Sequence, residues 1–257
     1  MVDVSQHGWL PLALMCVVFT VLAAVVVRLT GMLEARRVYT AGLRAVGQLA
    51  AVSAVIAVVL TSVPLSFGFL LIMAVVATAT SAARAAVGRR GAWLAFAICA
   101  GTVPSLALML GSGAVPLAGA SLVPVGGILI GGAMTATTLA VRRTLAALAD
   151  RYGEFEAALA LGLTEPDAVR ELVRRPAADA LLPALDQTRT VGLVTLPGAF
   201  VGMLLGGAPA WQAGVVQMVV LLALLMVEAM AIAVVIELVA RGLVRRERGD
   251  LADVGGR

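Results

Sequence analysis

No lysine occurs anywhere in this 257-residue chain; all 19 of its basic residues are arginines. A Walker A loop needs a lysine to reach the nucleotide phosphates, so ATP hydrolysis of that kind must come from another polypeptide. Cysteine is almost as scarce. Cys16 and Cys99 both fall in apolar runs at different depths, which argues against a disulfide or a metal pair; two small buried hydrophobes are expected. The single histidine, His7, is expected to be exposed and uninvolved. There is no Cys/His cluster, HExxH, Ser-His-Asp arrangement or pair of catalytic carboxylates, and enzyme chemistry in the membrane is set aside on that ground. Aromatics make up only 4% of the chain, and the arginines sit between apolar runs, not on an aromatic-studded basic face. The pI of about 10.0 is therefore a matter of membrane topology and not of nucleic-acid binding.

What is abundant is apolar. Hydrophobic residues are 61% of the chain, charged residues 13%, and the mean hydropathy is +1.03. No soluble domain of that composition could cover its surface with polar atoms, so the fold class is an all-α polytopic membrane protein. Seven apolar segments can be marked at about 9–29, 41–61, 66–83, 92–111, 121–141, 188–206 and 213–240. Gly- and Pro-bearing breaks separate them, as at Pro64, 88–91, 111–113 and 206–210. With the N-terminus outside, every arginine falls on the cytoplasmic side, within 28–44, 84–90, 142–189 and 241–257. The opposite loops carry none. This split predicts an odd number of spans, about seven, in the plasma or inner membrane, with a cytoplasmic C-terminus. The opening residues, with Asp3 and no basic n-region, read as the first membrane helix and not as a cleaved signal peptide. One permease-sized domain over 1–257 is expected, with a polar loop at 142–187 and a short disordered tail at 246–257.

The polar loop has internal order. Leu145, Leu148, Tyr152, Phe155, Leu159 and Gly162 follow at three- or four-residue spacing, which continues the fifth span as a helix beyond the bilayer. Gly162 is placed to end that helix in the left-handed conformation. Thr164 then begins "TEPD", with Thr164 as N-cap, Pro166 in the first turn and Asp167 three residues after the cap. A second, amphipathic helix is expected up to Arg175, stopped by Pro176. The product is a helix-turn-helix beneath the membrane. Ala157, Ala158, Leu161, Leu163, Val169 and Leu172 give it apolar surface, to be covered either by the other helices of this protein or by a partner.

"EAALALG" at 156–162 resembles the cytoplasmic EAA loop of ABC-transporter permeases, although "LVRRP" replaces the expected end of that loop. "LVPVGGILIGGAM" at 122–134, "LGLT" at 161–164 and "LLPALDQTRTVGLVTLPGAFVGMLLGG" at 181–207 widen the resemblance. Together these runs are similar to the FetB-like iron-export ABC permeases, a family that includes plant aluminium-tolerance permeases. The most specific run is Asp186 to Gly198. Two residues depart from the pattern, Gly132 in place of Asn and Glu228 in place of a small residue. The resemblance implies a homodimeric permease in the lipid bilayer, paired with a separate cytoplasmic ATPase that holds ATP and Mg, with no cofactor in this chain. It implies that Glu156, Ala157, Ala158, Gly162, Leu163 and Thr164 couple to the ATPase, and that a metal or metal-linked solute moves outward.

A substrate path is sought among polar residues inside the spans. Glu228 lies near the middle of the last span, where an ionisable group costs about 2.5 to 3.5 kcal/mol on insertion scales. Such a residue calls for a cavity, a proton or a partner. Glu237, nine residues on, projects about 180° away and should be solvated. Met226 and Met230 share a face at i, i+4 near Glu228 and, with Met134 and Met203, are candidate soft ligands or simple packing; the metal itself is unknown. Asp186 and Arg189 can pair on one helix face, and Pro197 and Gly198 stand where a span can bend; gating or structural anchoring is expected of these four. The alternative reading is an ion-coupled secondary transporter with Glu228 as proton carrier, opposed by the lack of visible inverted repeats. A membrane scaffold that transports nothing is the third.

Overall fold

The computed structural model describes residues 9–245, so His7 and the tail at 246–257 lie outside the described residues. The chain packs as two compact units divided between Val59 and Leu60. The first is a helical hairpin, α1 (Leu10–Thr30) and α2 (Ala35–Val59). Gly31 closes α1 in the left-handed conformation, φ 66°, and returns its N–H to the Arg28 carbonyl. Ala24 is buried between the helices, while the hairpin's large apolar residues are mostly exposed, as lipid-facing side chains are.

The second unit begins with α3 (Val63–Ala85), a 3-10 turn (Gly88–Trp93), α4 (Leu94–Gly111) and α5 (Gly119–Asp150). After these come α6 (Tyr152–Ala160), α7 (Glu165–Ala178), a 3-10 turn (Asp179–Leu181), α8 (Leu182–Thr190), α9 (Gly198–Leu205) and α10 (Ala210–Ala240). Helices α5 and α10 have 32 and 31 residues. At 1.5 Å per residue each runs about 46–48 Å, well beyond a hydrocarbon core of about 30 Å, so both project past the bilayer. The projecting ends support α7. Its buried positions Ala168, Val169, Leu172, Val173 and Ala177 fall on one helical face. Val169, Leu172, Val173 and Ala177 join the core formed by Ala136, Ala140 and Val141 of α5 and Val235, Leu238 and Val239 of α10. A second core, built on Leu70, Ile98, Leu122, Leu129, Val220 and Leu224, fills the other half of the unit.

Among the described residues six helices are long and apolar enough to cross a membrane: α1, α2, α3, Gly88–Gly111, α5 and α10. The seventh apolar segment, 188–206, is not one helix. It is divided into α8 and α9 by residues 191–197. Gly192 there adopts φ 82°, and the Thr190 carbonyl gathers the N–H groups of Leu193, Val194 and Thr195 instead of continuing a ladder. Pro197 disfavours a helical Leu196 and becomes the N-cap of α9. Pro183 likewise starts α8 without bending a span.

The stop expected at Pro176 does not occur, since α7 runs through it to Ala178. Proline removes the N–H that would have bonded the carbonyl four residues earlier. That carbonyl, of Leu172, instead accepts a 3.2 Å hydrogen bond from the Arg151 guanidinium. A cross-helix donor thus takes the place of the missing backbone donor.

Candidate functional site

The turn between α6 and α7 follows from its residues. Gly162 takes φ 93° and donates to the Leu159 carbonyl at 2.9 Å, while the Leu163 N–H reaches the Ala158 carbonyl at 3.1 Å. These two bonds form a Schellman motif, which only a residue free of Cβ strain closes cheaply. Thr164 caps α7, its Oγ1 accepting from the Asp167 N–H at 3.4 Å and donating to Asp167 Oδ2 at 2.5 Å. The expected apolar surface is divided by this geometry. Val169 and Leu172 are buried against α5 and α10, whereas Glu156, Ala157 and Leu163 are exposed, Ala158 is half-buried, and Leu161 is 83% exposed.

Ion pairs fix α7 from several directions. Arg170 makes a two-point contact with Glu237 of α10, Nε to Oε1 at 2.7 Å and Nη2 to Oε2 at 3.1 Å, and a further bond to Asp167 at 2.7 Å. Arg241 adds a 3.2 Å bond to Glu237. Donating to the Glu237 carboxylate, and the charge of that group, push the Arg170 guanidinium above its ordinary range. Arg143 of α5 reaches Asp179 at 3.1 Å, and Arg245 reaches Glu165 at 3.5 Å. Arg151 binds Glu154 of α6 through two bonds, one at 2.8 Å, and these hold the Glu154 carboxyl below the usual carboxylate range. The expected Asp186–Arg189 contact is present at 3.8 Å between two exposed side chains.

Glu228 lies inside the second unit, 8% exposed, with no hydrogen bond or ion pair among the described residues. Two glycines flank its turn of α10. A methyl group at Gly101 of α4 would stand 2.7 Å from Val227 Cα, so α4 and α10 meet there backbone to backbone. A methyl group at Gly132 of α5 would stand 2.8 Å from Glu228 Oε1 and 2.3 Å from Leu224 Cδ1. The carboxyl therefore occupies the notch that Gly132 leaves. Gly132 and Glu228, expected to depart from the family pattern, are spatial neighbours.

The methionines do not join it. Met226 is exposed and Met230 half-buried, each two residues from Glu228 and hence about 200° around the helix. Met134 packs in the core, and its carbonyl accepts from Ser81 at 3.3 Å and Thr138 at 2.7 Å. Met203 is half-buried in α9, and Pro197 and Gly198 form the start of that helix. No group of three or more His, Cys, Asp or Glu side chains suited to a metal is found among the described residues.

The sequence profile of the uncharacterised protein family UPF0014 matches residues 9–244. The chain belongs to UPF0014. Among its relatives, the UPF0014 membrane protein STAR2 of Oryza sativa subsp. japonica is 38% identical over 152 residues, 59% of this chain and 53% of STAR2. The protein ALUMINUM SENSITIVE 3 of Arabidopsis thaliana is 36% identical over 152 residues, 59% of this chain and 56% of that protein. The "Probable iron export permease protein FetB" of Escherichia coli K12 is 32% identical over 111 residues, 43% of each chain. The matched regions thus span about half the length of these curated relatives. No solved structure gives a significant match.

Several residues of this UPF0014 chain escaped the reading of its sequence. Arg170 and Glu237 pair across 67 residues, a distance no local pattern bridges. Gln217 of α10 is buried with its Oε1 unpartnered. Gln217 stands eleven residues before Glu228, just over three full turns, so helical periodicity alone could have placed both on one face.

Proposed function

We propose that this UPF0014 protein is the permease subunit of an ABC transporter, moving a metal ion such as iron, or a metal-linked solute, outward with ATP hydrolysed by a separate cytoplasmic partner. The observation that carries the reading is the two-sided α6–α7 element. Its inner face is fixed to α5 and α10 by Val169, Leu172 and Val173 and by the Arg170–Glu237 pair, while Leu161, Leu163, Ala157 and Glu156 face outward. Force applied at that exposed tip is delivered to the two longest helices of the unit, one of which carries Glu228. The absence of lysine, the arginine asymmetry and the similarity to a protein named as an iron export permease support the same division of labour. In this reading residues 142–187 are cytoplasmic, the N-terminus is outside, the chain acts as a homodimer in the cell membrane, and ATP and Mg reside in the partner.

The test is co-purification of the full chain with a co-expressed cytoplasmic ABC ATPase. Wild type is expected to retain the ATPase, and replacement of Glu156 and Gly162 together to lose it. Full transport by the chain with no ATPase present would contradict the proposal.

The partnerless carboxyl of Glu228 favours a second reading, an ion-coupled secondary transporter with Glu228 as proton carrier. Transport that collapses with the proton gradient but survives ATP depletion selects it.

A further inference from the structure

Helices α3 and α5 run side by side in the same direction. Leu70 of α3 fills the notch left by Gly126 of α5, and nearer the C-terminal end of α3 the Ser81 hydroxyl donates to the Met134 carbonyl at 3.3 Å and accepts from Thr138 at 3.0 Å. Their apolar runs, 66–83 and 121–141, each rise roughly 30 Å, the thickness of a hydrocarbon core. The first arginine beyond each run, Arg84 on α3 and Arg142 on α5, therefore stands at the same membrane boundary. Trp93 marks that level independently. A methyl group at Gly91 would collide with Ala82, so the 3-10 turn lies directly against the end of α3, and Trp93 at its close is 42% exposed and stacked on Phe96. Exposed aromatic rings of this kind belong to the interfacial belt.

At this boundary α3 and α5 do not close on each other. A cavity of about 480 Å³ remains, lined by Arg84, Arg142 and Arg143 together with the short side chains of Ala85, Ala86 and Ala146. Leu139 and Leu145 complete the wall, and none of the lining residues is acidic. Arg143 also reaches Asp179 at 3.1 Å, whereas the guanidinium groups of Arg84 and Arg142 have no ion pair or hydrogen bond among the described residues. Three cations against one carboxylate leave an excess of positive charge. Guanidinium groups present paired N–H donors that match phosphate oxygens, so the ligand that completes the cavity is a phosphate.

A phosphate in water and a phosphate on a lipid meet the same donors. Position decides between them, because the cavity lies where the apolar runs end, and Leu139 and Leu145 offer apolar contact that a lipid uses and a free ion does not. We propose that this cavity binds the headgroup of one anionic phospholipid, with Arg84, Arg142 and Arg143 holding its phosphate. A zwitterionic headgroup brings a cation of its own into a cavity already positive, and binds more weakly. The site belongs to the helix bundle and requires no ATPase.

The experiment is native mass spectrometry of the purified full chain in detergent, titrated with phosphatidylglycerol, with phosphatidylcholine of the same acyl chains, or with inorganic phosphate; thermal unfolding of each variant is recorded alongside. Wild type is expected to retain one phosphatidylglycerol where phosphatidylcholine is lost, and to bind inorganic phosphate far more weakly than either. Arg84→Gln combined with Arg142→Gln weakens phosphatidylglycerol binding by about thirtyfold, and Arg142→Gln alone by about fivefold, at roughly a fivefold factor per arginine near an anionic headgroup. Arg89→Gln combined with Arg90→Gln removes the same charge nearby but outside the cavity, and leaves binding unchanged. Three results overturn the proposal: unchanged binding in the folded Arg84, Arg142 variant, an equal loss in the Arg89, Arg90 variant, or no preference for phosphatidylglycerol in wild type. Inorganic phosphate that binds as tightly as the lipid also overturns it, by assigning the cavity to a free ion. If the double variant at Arg84 and Arg142 does not fold, Arg142→Gln alone decides, and unchanged binding there is the contrary result.

Discussion

Gly101 and Gly132 both press on one turn of α10, and the same substitution has different consequences at the two positions. A methyl group at Gly101 meets the Val227 backbone, which cannot rotate away. Gly101→Ala is therefore expected to separate α4 from α10 and to lower stability by about 1–3 kcal/mol, measured as a fall in unfolding midpoint in detergent. At Gly132 the obstructing atoms are the ends of the Leu224 and Glu228 side chains, which can move. Gly132→Ala should leave most of the stability intact and displace the carboxyl. Carbodiimide labelling of Glu228, compared between wild type and Gly132→Ala, reads that displacement. Equal labelling rates would show that Gly132 does not shape the site. Gly132 and Glu228 were both singled out in the sequence, Glu228 for its charge inside an apolar run. Their contact was not, because nothing local registers α5 against α10.

At the level of elements, α6 and α7 owe their junction to Arg151. This residue binds Glu154 on α6 and the Leu172 carbonyl that Pro176 leaves without a backbone donor. Arg151→Met is expected to fray α7 from Leu172 onward, seen as faster amide exchange there with little change in α5. Acid should act in the same place. The Glu154 carboxyl is lowered in the folded state by its hydrogen bond to Arg151, so its contribution is fully present above the ordinary glutamate range near about 4.3 and disappears as pH falls through the lowered value. Protection from exchange at the α6–α7 junction, taken relative to the intrinsic rate at each pH, should fall on acidification in wild type and stay flat in Arg151→Met; a pH response shared by both proteins would assign it to another group. The turn itself was legible because its determinants are local: Gly162, Thr164 and Asp167 act within a few residues. The continuation through Pro176 was not, since its compensating donor lies 21 residues away in sequence from Leu172. The interrupted segment at 188–206 was read as a span for the related reason that apolarity reports burial in lipid and not whether the ladder is continuous. Gly192 and Pro197 hold the signal for the interruption.

For the whole molecule, composition and the period of the apolar runs were enough to specify an all-helical membrane protein, and the UPF0014 match agrees with that class. The proposed working parts lie along one helix. α10 holds Glu228 on its buried stripe and Glu237 at the far end, paired with the element that presents Leu161. If an ATPase drives the protein, a change at Leu161 must be felt at transport without affecting the bundle. Leu161→Arg adds charge to an exposed side chain that packs against nothing buried, so unfolding should be unchanged. The most direct measurement is metal flux in proteoliposomes containing the chain with and without its ATPase, using Fe²⁺ as the probe. The account predicts flux only when ATPase and ATP are both present, and its loss in Leu161→Arg. Undiminished flux from the chain alone, driven by a proton gradient and indifferent to Leu161, would contradict it.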